Sequence, residues 1–319
     1  MIDELFVKYP YQDEEDFLTE CDCCQSADEK YDFEDDWFYT QDNFEEYDDE
    51  SEYLMGLPND AEGIIKTDDL LFVHDMENNV CSVLGVVEDG LEELIIPNMV
   101  CNIPVVGIEP NAFAFNQKLR SIELPNSIVR ISPFAFIGCM HLQTIKLCMK
   151  KLAVGKSAFY KCPSIKCVMW ENELSSWFHI SFENEYSNPL RYGSEFFCKG
   201  EKVEKFTIPD DIIVVPQGAF TGCSSVRTVR LHRNVKRISR AAFAFCENLK
   251  TVETCGFAVF SIFREAFFNC FSLSMVRLDG CFAIGSYAFG NCHSLNPSIF
   301  KEHHVMYISD EALKGVENE

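Results

Sequence analysis

The dipeptide Ala-Phe recurs seven times in one sequence frame, and this repeat constrains the fold more than any other feature of the chain. In each copy a β-branched aliphatic residue lies four positions before Ala, and in six copies a Cys lies three positions after Phe. Successive Phe residues are 23, 23, 61, 23, 24 and 22 positions apart. A fixed period in the low twenties indicates one supersecondary unit stacked on copies of itself. The seven residues are Phe113, Phe136, Phe159, Phe220, Phe243, Phe267 and Phe289.

Each unit also contains an aliphatic triplet at positions i, i+3 and i+5, as in Leu142, Ile145 and Leu147. The last two members alternate with polar residues, which predicts a short strand with one buried face. The Ala-Phe-x-x-Cys stretch has small or apolar residues at a spacing of three and predicts a single helical turn. Because one unit is too short to bury its own apolar side, the units must stack, with parallel strands about 4.8 Å apart. We expect the Phe residues and the repeat Cys residues to form internal stacks.

This pattern closely resembles the BspA-type leucine-rich repeat family in the hexapeptide 142–147, in the step from Ile131 to Ala135-Phe136, and in Cys139. The 61-residue interval contains Trp-Phe-His-Ile-Ser-Phe at 177–182 and Ser-Asn-Pro-Leu-Arg-Tyr-Gly at 187–193, which is similar to an insertion found in that family. The resemblance covers roughly residues 64–315. It implies an α/β fold, a right-handed leucine-rich-repeat solenoid with short parallel strands and short helical turns.

The chain divides into three predicted parts: an acidic tail at 1–60, a capping hairpin at 61–90, and the solenoid at 91–319 with an aromatic insertion at 171–202. Two apolar segments, 70–72 and 80–84, flank a polar turn and predict the hairpin, which we expect to cover the otherwise open edge of the first strand. For the insertion we predict a side lobe packed on the solenoid. The alternative is a carbohydrate or peptide platform of exposed aromatic rings.

The net charge of −24 is concentrated in the tail. Residues 1–60 contain 22 Asp or Glu against Lys8 and Lys30, so about −20 belongs to this part, while the remainder has 29 acids and 25 bases. Dense like charge opposes collapse and predicts a disordered tail. Twelve aromatic residues interleave with the acids, however, and such a segment can fold onto a basic, partly apolar groove. Self-docking of residues 1–60 on the solenoid is therefore a second hypothesis.

The positions of the cysteines predict structural thiols instead of catalytic or metal-binding ones. Six of the 16 occupy the repeat position, where a free Cys acts as a small buried hydrophobe. Cys21, Cys23 and Cys24 could hold zinc with one further ligand, but no second Cys or His pair follows at a familiar spacing. There is no Gly-rich phosphate loop, Gly-x-Ser-x-Gly elbow or His-Glu-x-x-His motif. We therefore predict no enzyme and no cofactor, with a glycan-active or hydrolytic enzyme as the alternative of another class.

The amino-terminal sequence bears on location. It is acidic, has no apolar core of the kind found in a secretory signal, and no run in the chain approaches the ~20 apolar residues of a membrane span. These observations favour a cytoplasmic protein. Many members of the resembled family are exported or surface-bound, so the alternative is a cell-surface protein or one secreted by a non-classical route.

A partner should bind where outward-pointing strand residues align from unit to unit. Cations are most concentrated at 227–240, where six occur within fourteen residues without an acid. Nucleic acid is disfavoured because the acidic tail would compete with phosphate. We predict a non-enzymatic protein-binding solenoid, and the alternative is adhesin-like binding to host or matrix components. The candidate partner-binding residues are Arg227, Arg230, Arg233, Lys236, Arg237, Arg240 and Arg277.

Overall fold

The computed structural model of the protein describes residues 63–87, 90–256, 260–302 and 305–316. The acidic tail and the Cys21, Cys23 and Cys24 cluster lie outside the described residues. Among these residues the α-helices are α1 (Leu174–Trp177) and α2 (Ile299–Glu302), and two short 3-10 helices cover Glu185–Ser187 and Pro189–Tyr192. The strands in chain order are β1 (Ile64–Lys66), β2 (Leu70–Asp75), β3 (Val80–Val86), β4 (Glu93–Ile95), β5 (Met99–Val100), β6 (Ile103–Ile108), β7 (Ser121–Leu124), β8 (Arg130–Ile131), β9 (Thr144–Leu147), β10 (Ala153–Val154), β11 (Cys167–Trp170), β12 (Ser181–Phe182), β13 (Glu195–Cys198), β14 (Glu201–Lys202), β15 (Lys205–Thr207), β16 (Val214–Val215), β17 (Thr228–His232), β18 (Arg237–Ile238), β19 (Thr251–Cys255), β20 (Phe260–Ile262), β21 (Met275–Arg277), β22 (Cys281–Ile284) and β23 (Tyr307–Ile308).

The strands form four sheets that make up the two sides of a solenoid. Sheet 1 has the order β1-β2-β3-β6-β8-β10-β12, with β5 also paired to β6, and sheet 2 has the order β14-β13-β11-β9-β7-β4. Sheet 3 contains β15-β17-β19-β21, and sheet 4 contains β16-β18-β20-β22-β23. Neighbouring strands from successive units are parallel, and the antiparallel pairs are β1–β2, β2–β3, β5–β6 and β13–β14. The predicted leucine-rich-repeat solenoid is confirmed.

The repeat phenylalanines form the predicted internal stacks. Phe113, Phe136 and Phe159 have ring centroids 5.0 and 5.1 Å apart, with interplanar angles of 9° and 5°. A second stack continues after the insertion with centroid separations of 5.5, 5.4 and 5.2 Å. All seven rings are buried. The second stack consists of Phe220, Phe243, Phe267 and Phe289.

The Ala-Phe segments are tight turns between two left-handed residues. In one of them Glu265 and Asn269, both with φ of 59°, flank Ala266 and Phe267. Left-handed residues cannot continue a helix, so the segment closes i→i−3 bonds, such as Cys270 N to the Phe267 carbonyl at 3.3 Å. The N–H groups of these two left-handed residues donate to the next unit, from Glu265 to the Ser286 carbonyl at 3.0 Å and from Asn269 to the Gly290 carbonyl at 2.9 Å. The corresponding pairs are Asn111 and Phe115, Phe134 and Gly138, Ser157 and Lys161, Gly218 and Gly222, Ala241 and Phe245, Glu265 and Asn269, and Tyr287 and Asn291.

The repeat cysteines add a ladder of thiol hydrogen bonds. The Sγ atom of Cys139 donates to the Phe113 carbonyl at 3.0 Å, and the same bond recurs at 2.9–3.2 Å in the units of Cys162, Cys246, Cys270 and Cys292. The bond needs the carbonyl of a preceding Ala-Phe turn. The first unit has none, and there Asn116 replaces Cys and accepts from the N–H groups of two following residues at 2.9 Å. These thiols are structural, as predicted.

The N-terminal hairpin forms as expected but extends the opposite side of the solenoid. β2 and β3 pair antiparallel, and β3 pairs in parallel with β6 in sheet 1. Because the chain has crossed to the other side before β4 begins, the hairpin leaves β4 at the end of sheet 2 within the described residues. The expectation that the hairpin covers the first strand of the repeat triplet is therefore wrong.

The insertion forms a turn of the solenoid, whereas the sequence predicted a side lobe packed on it. β12 extends sheet 1 in parallel beside β10, and β13 extends sheet 2 in parallel beside β11. Trp177 is fully buried, lies 4.6 Å from the Phe196 ring, and donates from Nε1 to the Ala219 carbonyl at 2.8 Å. The large rings of the insertion thus continue the aromatic interior between the two Phe stacks, which argues against an exposed aromatic platform.

The β-ladders stop after the insertion, and single hydrogen bonds connect the two halves, among them the backbone bond from Ser224 N to the Ser194 carbonyl at 3.0 Å. Sheet 2 ends at the β13–β14 hairpin and sheet 3 starts at β15, and sheet 1 likewise ends at β12 while sheet 4 starts at β16. Asn188 Nδ2 bridges this break by donating to the Gly218 carbonyl at 2.7 Å. The halves are in close contact, because a Cβ atom at Gly222 would lie 2.5 Å from the Arg191 carbonyl oxygen.

Candidate functional site

The outward side chains of sheets 2 and 3 form aligned columns, which we call the strand face. Parallel register places equivalent residues of successive units side by side, about 4.8 Å apart. In sheet 2 one column runs Ser121, Thr144, Cys167 and Glu195, and the next runs Glu123, Lys146, Met169 and Phe197. In sheet 3 the columns are Lys205, Thr228, Thr251 and Met275, and Thr207, Arg230, Glu253 and Arg277.

The inward neighbours of these residues hold the strand face in place. Val229, Val252 and Val276 alternate with the outward residues of sheet 3, and each is at most 3% exposed. Because side chains alternate along a strand, burying one set fixes the orientation of the other. The alternation predicted from the aliphatic triplets is therefore confirmed.

Charges on the strand face pair across neighbouring strands. Lys146 Nζ lies 3.3 Å from Glu123 Oε2, and Arg230 Nε lies 2.6 Å from Glu253 Oε1. The hydrogen bond and the charge of Glu123 raise the pKa of the Lys146 ammonium above its usual value. Such pairs are exposed to water, where ion pairs contribute little to stability. A partner's charged groups can therefore replace these contacts at small cost.

Three of the seven candidate cations lie on or beside sheet 3, each close to an acid. Arg230 and Arg277 point outward from β17 and β21, and Arg227 directly precedes β17. The Nε atom of Arg277 lies 2.9 Å from Asp279 Oδ2, and the Nε atom of Arg227 lies 3.9 Å from Glu204 Oε1. The acids beside Arg227, Arg230 and Arg277 are Glu204, Glu253 and Asp279.

The other four candidate cations lie outside the strand face. Arg233 and Lys236 are exposed in the turn between β17 and β18. Arg237 lies on sheet 4, with its guanidinium 5.4 Å from the Phe263 ring centre, and Arg240 lies in the following turn. The six cations that are close in sequence therefore wrap around the coil instead of sharing one sheet.

Glu265 is a buried acid that no sequence motif singles out. Its side chain is 6% exposed and lies between two guanidinium groups, with Oε2 3.1 Å from Arg240 Nε and Oε1 2.9 Å from Arg264 Nε. A buried carboxylate needs such partners, because losing them leaves an uncompensated charge. The only sequence signal is its position, directly before the Ala of an Ala-Phe pair. The cluster is structural and lies away from the strand face.

Two further observations bear on the class of protein. No group of three or more His, Cys, Asp and Glu is placed to hold a metal ion within the described ranges. Over the same part of the chain, the helices are too short to cross a lipid bilayer.

Comparison with known families agrees with the geometry. A family model described as a BspA type leucine rich repeat region matches residues 91–189 and 191–318, with six copies of the repeat. The chain belongs to the BspA-type leucine-rich repeat family. No curated protein sequence matches it.

Several solved leucine-rich repeat structures are similar to this family member. The leucine-rich repeat protein TpLRR of T. pallidum has 17% sequence identity over 78% of this chain and 99% of its own, with a TM-score of 0.44. A leucine rich cell surface protein of Faecalibacterium prausnitzii has 13% identity over 82% of this chain and 100% of its own, with a TM-score of 0.29.

Proposed function

We propose that this protein is a non-enzymatic protein-binding solenoid that contacts its partner through the strand face. The observation that carries the proposal is the register of sheets 2 and 3, which aligns polar, charged and apolar side chains in columns within each sheet. Repeat proteins of this kind present an extended surface on a rigid stack, and the rigidity lowers the entropic cost of binding.

The size of the strand face suggests how a partner engages it. Nine parallel strands contribute, five in sheet 2 and four in sheet 3, and the antiparallel β14 lies at the break between them. At about 4.8 Å per strand and about 3.3 Å per residue, the parallel strands of sheet 2 span roughly 19 by 13 Å and those of sheet 3 roughly 14 by 13 Å, or about 430 Å² together in projection. A specific interface takes about 800 Å² from each partner. A stable partner therefore spans most of the length of the solenoid and also contacts the flanking turns.

Charge-reversing variants test this proposal. Arg230→Glu with Arg277→Glu changes the strand face, while Lys118→Glu reverses an exposed charge at an Ala-Phe turn and serves as the matched control. Affinity capture from an extract of the source cells should recover proteins that wild type and Lys118→Glu retain and the double variant loses. Recovery of the same proteins at the same level by all three chains would refute binding through the strand face.

We also propose that residues 1–60 regulate this binding by docking on the solenoid. Their charge of about −20 supports the proposal, and a tethered segment has an effective concentration near millimolar. Deleting residues 1–60 should strengthen partner binding at low salt, and the gain should shrink at high salt because electrostatic docking is screened. Equal affinity of both chains at low salt would contradict regulation by docking.

We further propose a cytoplasmic location. It is supported by the thirteen described cysteines, all of which are free thiols. Free thiols in this number suit a reducing compartment, since oxidising compartments favour disulfides. Fractionation of the source cells with an antibody against the protein tests this, and recovery at the cell surface would favour the adhesin alternative.

A further inference from the structure

The break between sheets 2 and 3 lies between two terminal strands, the two-residue β14 of sheet 2 and β15 of sheet 3, and it leaves β15 with an open edge in the middle of the strand face. β15 pairs with β17 and has no second neighbour among the described residues. By contrast, β7, β9, β11, β13, β17 and β19 each have a strand on both sides. An open edge presents unpaired backbone groups to a further strand.

The register shows which backbone groups of β15 face the break. The Glu204 carbonyl accepts from Thr228 N at 3.2 Å, and Ile208 N donates to the Arg230 carbonyl at 2.8 Å. In a parallel ladder the backbone groups of alternate residues point to the same neighbour. Residues 204, 206 and 208 therefore face β17, and the N–H and C=O groups of Lys205 and Thr207 face the break.

On the other side of the break, the backbone of β13 is already paired. The Phe196 N–H of β13 donates to Ser225 Oγ at 3.0 Å, and the Phe196 carbonyl accepts from Val203 N at 2.9 Å. A strand that enters the break therefore finds backbone partners on β15.

The core beside this edge is incompletely covered. Phe206 is the inward-pointing residue of β15 and is only partly buried. The inward residues at the equivalent position of the other eight strands are at most 4% exposed. An apolar side chain from an added strand would complete the burial of the Phe206 ring. The equivalent residues are Leu94, Ile122, Ile145, Val168, Phe196, Val229, Val252 and Val276.

A small cavity with two cationic side chains in its lining lies on the outward side of β15. A cavity of about 210 Å³ is lined by Lys205, Phe206, Thr207, Thr228 and Arg230. Ligand pockets for small molecules typically occupy about 300–1,000 Å³, so this hollow suits one or two side chains better than a cofactor. Lys205 is exposed and forms no ion pair within the described ranges, and it therefore favours an acidic neighbour.

We propose that β15 binds an extended peptide segment of a partner protein by β-strand addition. The segment alternates apolar and acidic residues. Its backbone pairs with Lys205 and Thr207, its apolar residues point inward beside Phe206, and its acidic residues point outward beside Lys205. This inference rests on the proposed function, since it names how a partner engages the strand face.

The test uses the full chain and a synthetic peptide, acetyl-Val-Asp-Val-Asp-Val-Asp-Val-amide carrying a fluorophore, titrated by fluorescence polarisation. Thr207→Pro removes the N–H that faces the break and leaves the bonds to β17 intact, because residue 207 points away from β17. Thr207→Val keeps the N–H and is the matched control. Thr207→Pro should weaken peptide binding at least about tenfold, whereas Thr207→Val should stay within about threefold.

Two additional measurements keep the test decisive if Thr207→Pro fails to fold, which circular dichroism would detect. A peptide N-methylated at alternate amides should lose binding in one of its two methylation registers, since alternate N–H groups face β15. Lys205→Glu should weaken the aspartate peptide and strengthen a lysine-substituted one.

Equal binding to folded Thr207→Pro, or no binding of the aspartate peptide by wild type at 1 mM, would overturn the inference. If the peptide fails while the Arg230 and Arg277 variants still lose their partner, strand addition is wrong and the proposed function stands. If the peptide binds and those variants lose nothing, the strand-face proposal is wrong instead.

Discussion

Replacement of Phe243 by leucine should lower the free energy of unfolding by about 1–4.5 kcal/mol. Its ring lies between Phe220 and Phe267 at 5.5 and 5.4 Å, with interplanar angles of 8° and 3°. Each aromatic pair contributes about 0.5–1.5 kcal/mol beyond the area it buries, so two lost pairs account for about 1–3 kcal/mol. Leucine nearly conserves the volume, and repacking adds up to about 1.5 kcal/mol.

Thermal unfolding followed by circular dichroism measures the effect. For a chain of this size, 1 kcal/mol lowers Tm by about 2–4 °C, so a midrange loss of about 2.5 kcal/mol predicts a decrease of about 5–10 °C. Phe271→Leu is the control, because Phe271 is 39% exposed and lies outside the stack. If both variants melt within about 1 °C of wild type, the phenylalanine stack does not stabilise the solenoid and the reasoning is refuted.

Three further variants probe other parts of the fold. Gly222→Ala should destabilise more than Gly200→Ala: both glycines have φ near 80°, but only Gly222 lacks room for a Cβ, and equal Tm losses would contradict the close contact. Glu265→Gln should lower Tm by several degrees, since it removes the charge of a buried carboxylate that accepts from Arg240 and Arg264 and places an amide donor against their N–H groups. Glu253→Gln, whose carboxylate is 28% exposed, should lower it less, and chemical denaturation checks the ranking. Burial raises the pKa of the Cys281 thiol to about 12, above an unfolded value near 9. The unfolded chain therefore loses this proton at lower pH than the folded chain, and the free energy of unfolding should fall from pH 9 upward. A Cys281→Ala chain should lose less stability than wild type over pH 9–11, and parallel stability profiles would show that this thiol does not cause the loss.

Periodicity predicted the solenoid because it constrains the backbone directly. A repeated Phe at a period of 22–24 residues has one low-energy arrangement, in which each ring stacks on the next, and the rings are found there. The insertion escaped prediction because it interrupts that period. Trp177 lies on a helix of four residues and is buried in the core of the solenoid. No local pattern in 171–202 distinguishes a turn of the solenoid from a separate side lobe.

The candidate site was predictable only in part. Outward strand positions follow from alternation, so Arg230 and Arg277 were placed correctly on the strand face. The density of cations in 227–240 was less informative, because the coil turns between β17 and β18 and carries Arg237 to the opposite sheet. The open edge of β15 follows the β13–β14 hairpin, which ends the ladder of sheet 2. The turn at Lys199 and Gly200 is visible in the sequence, but the turn alone does not show that β15 starts a new sheet.

Hydroxyl-radical footprinting of methionines, with and without a partner recovered by capture, tests the strand face most directly. Met275 points outward from β21 and is 56% exposed, and Met169 points outward from β11, whereas Met76 is 65% exposed on the N-terminal hairpin. Oxidation to the sulfoxide requires an accessible thioether, so the reaction reports contact at each position. Binding at the strand face predicts protection of Met275 and Met169 with Met76 unchanged. Protection of Met76 with unchanged oxidation of the two strand-face methionines would contradict it.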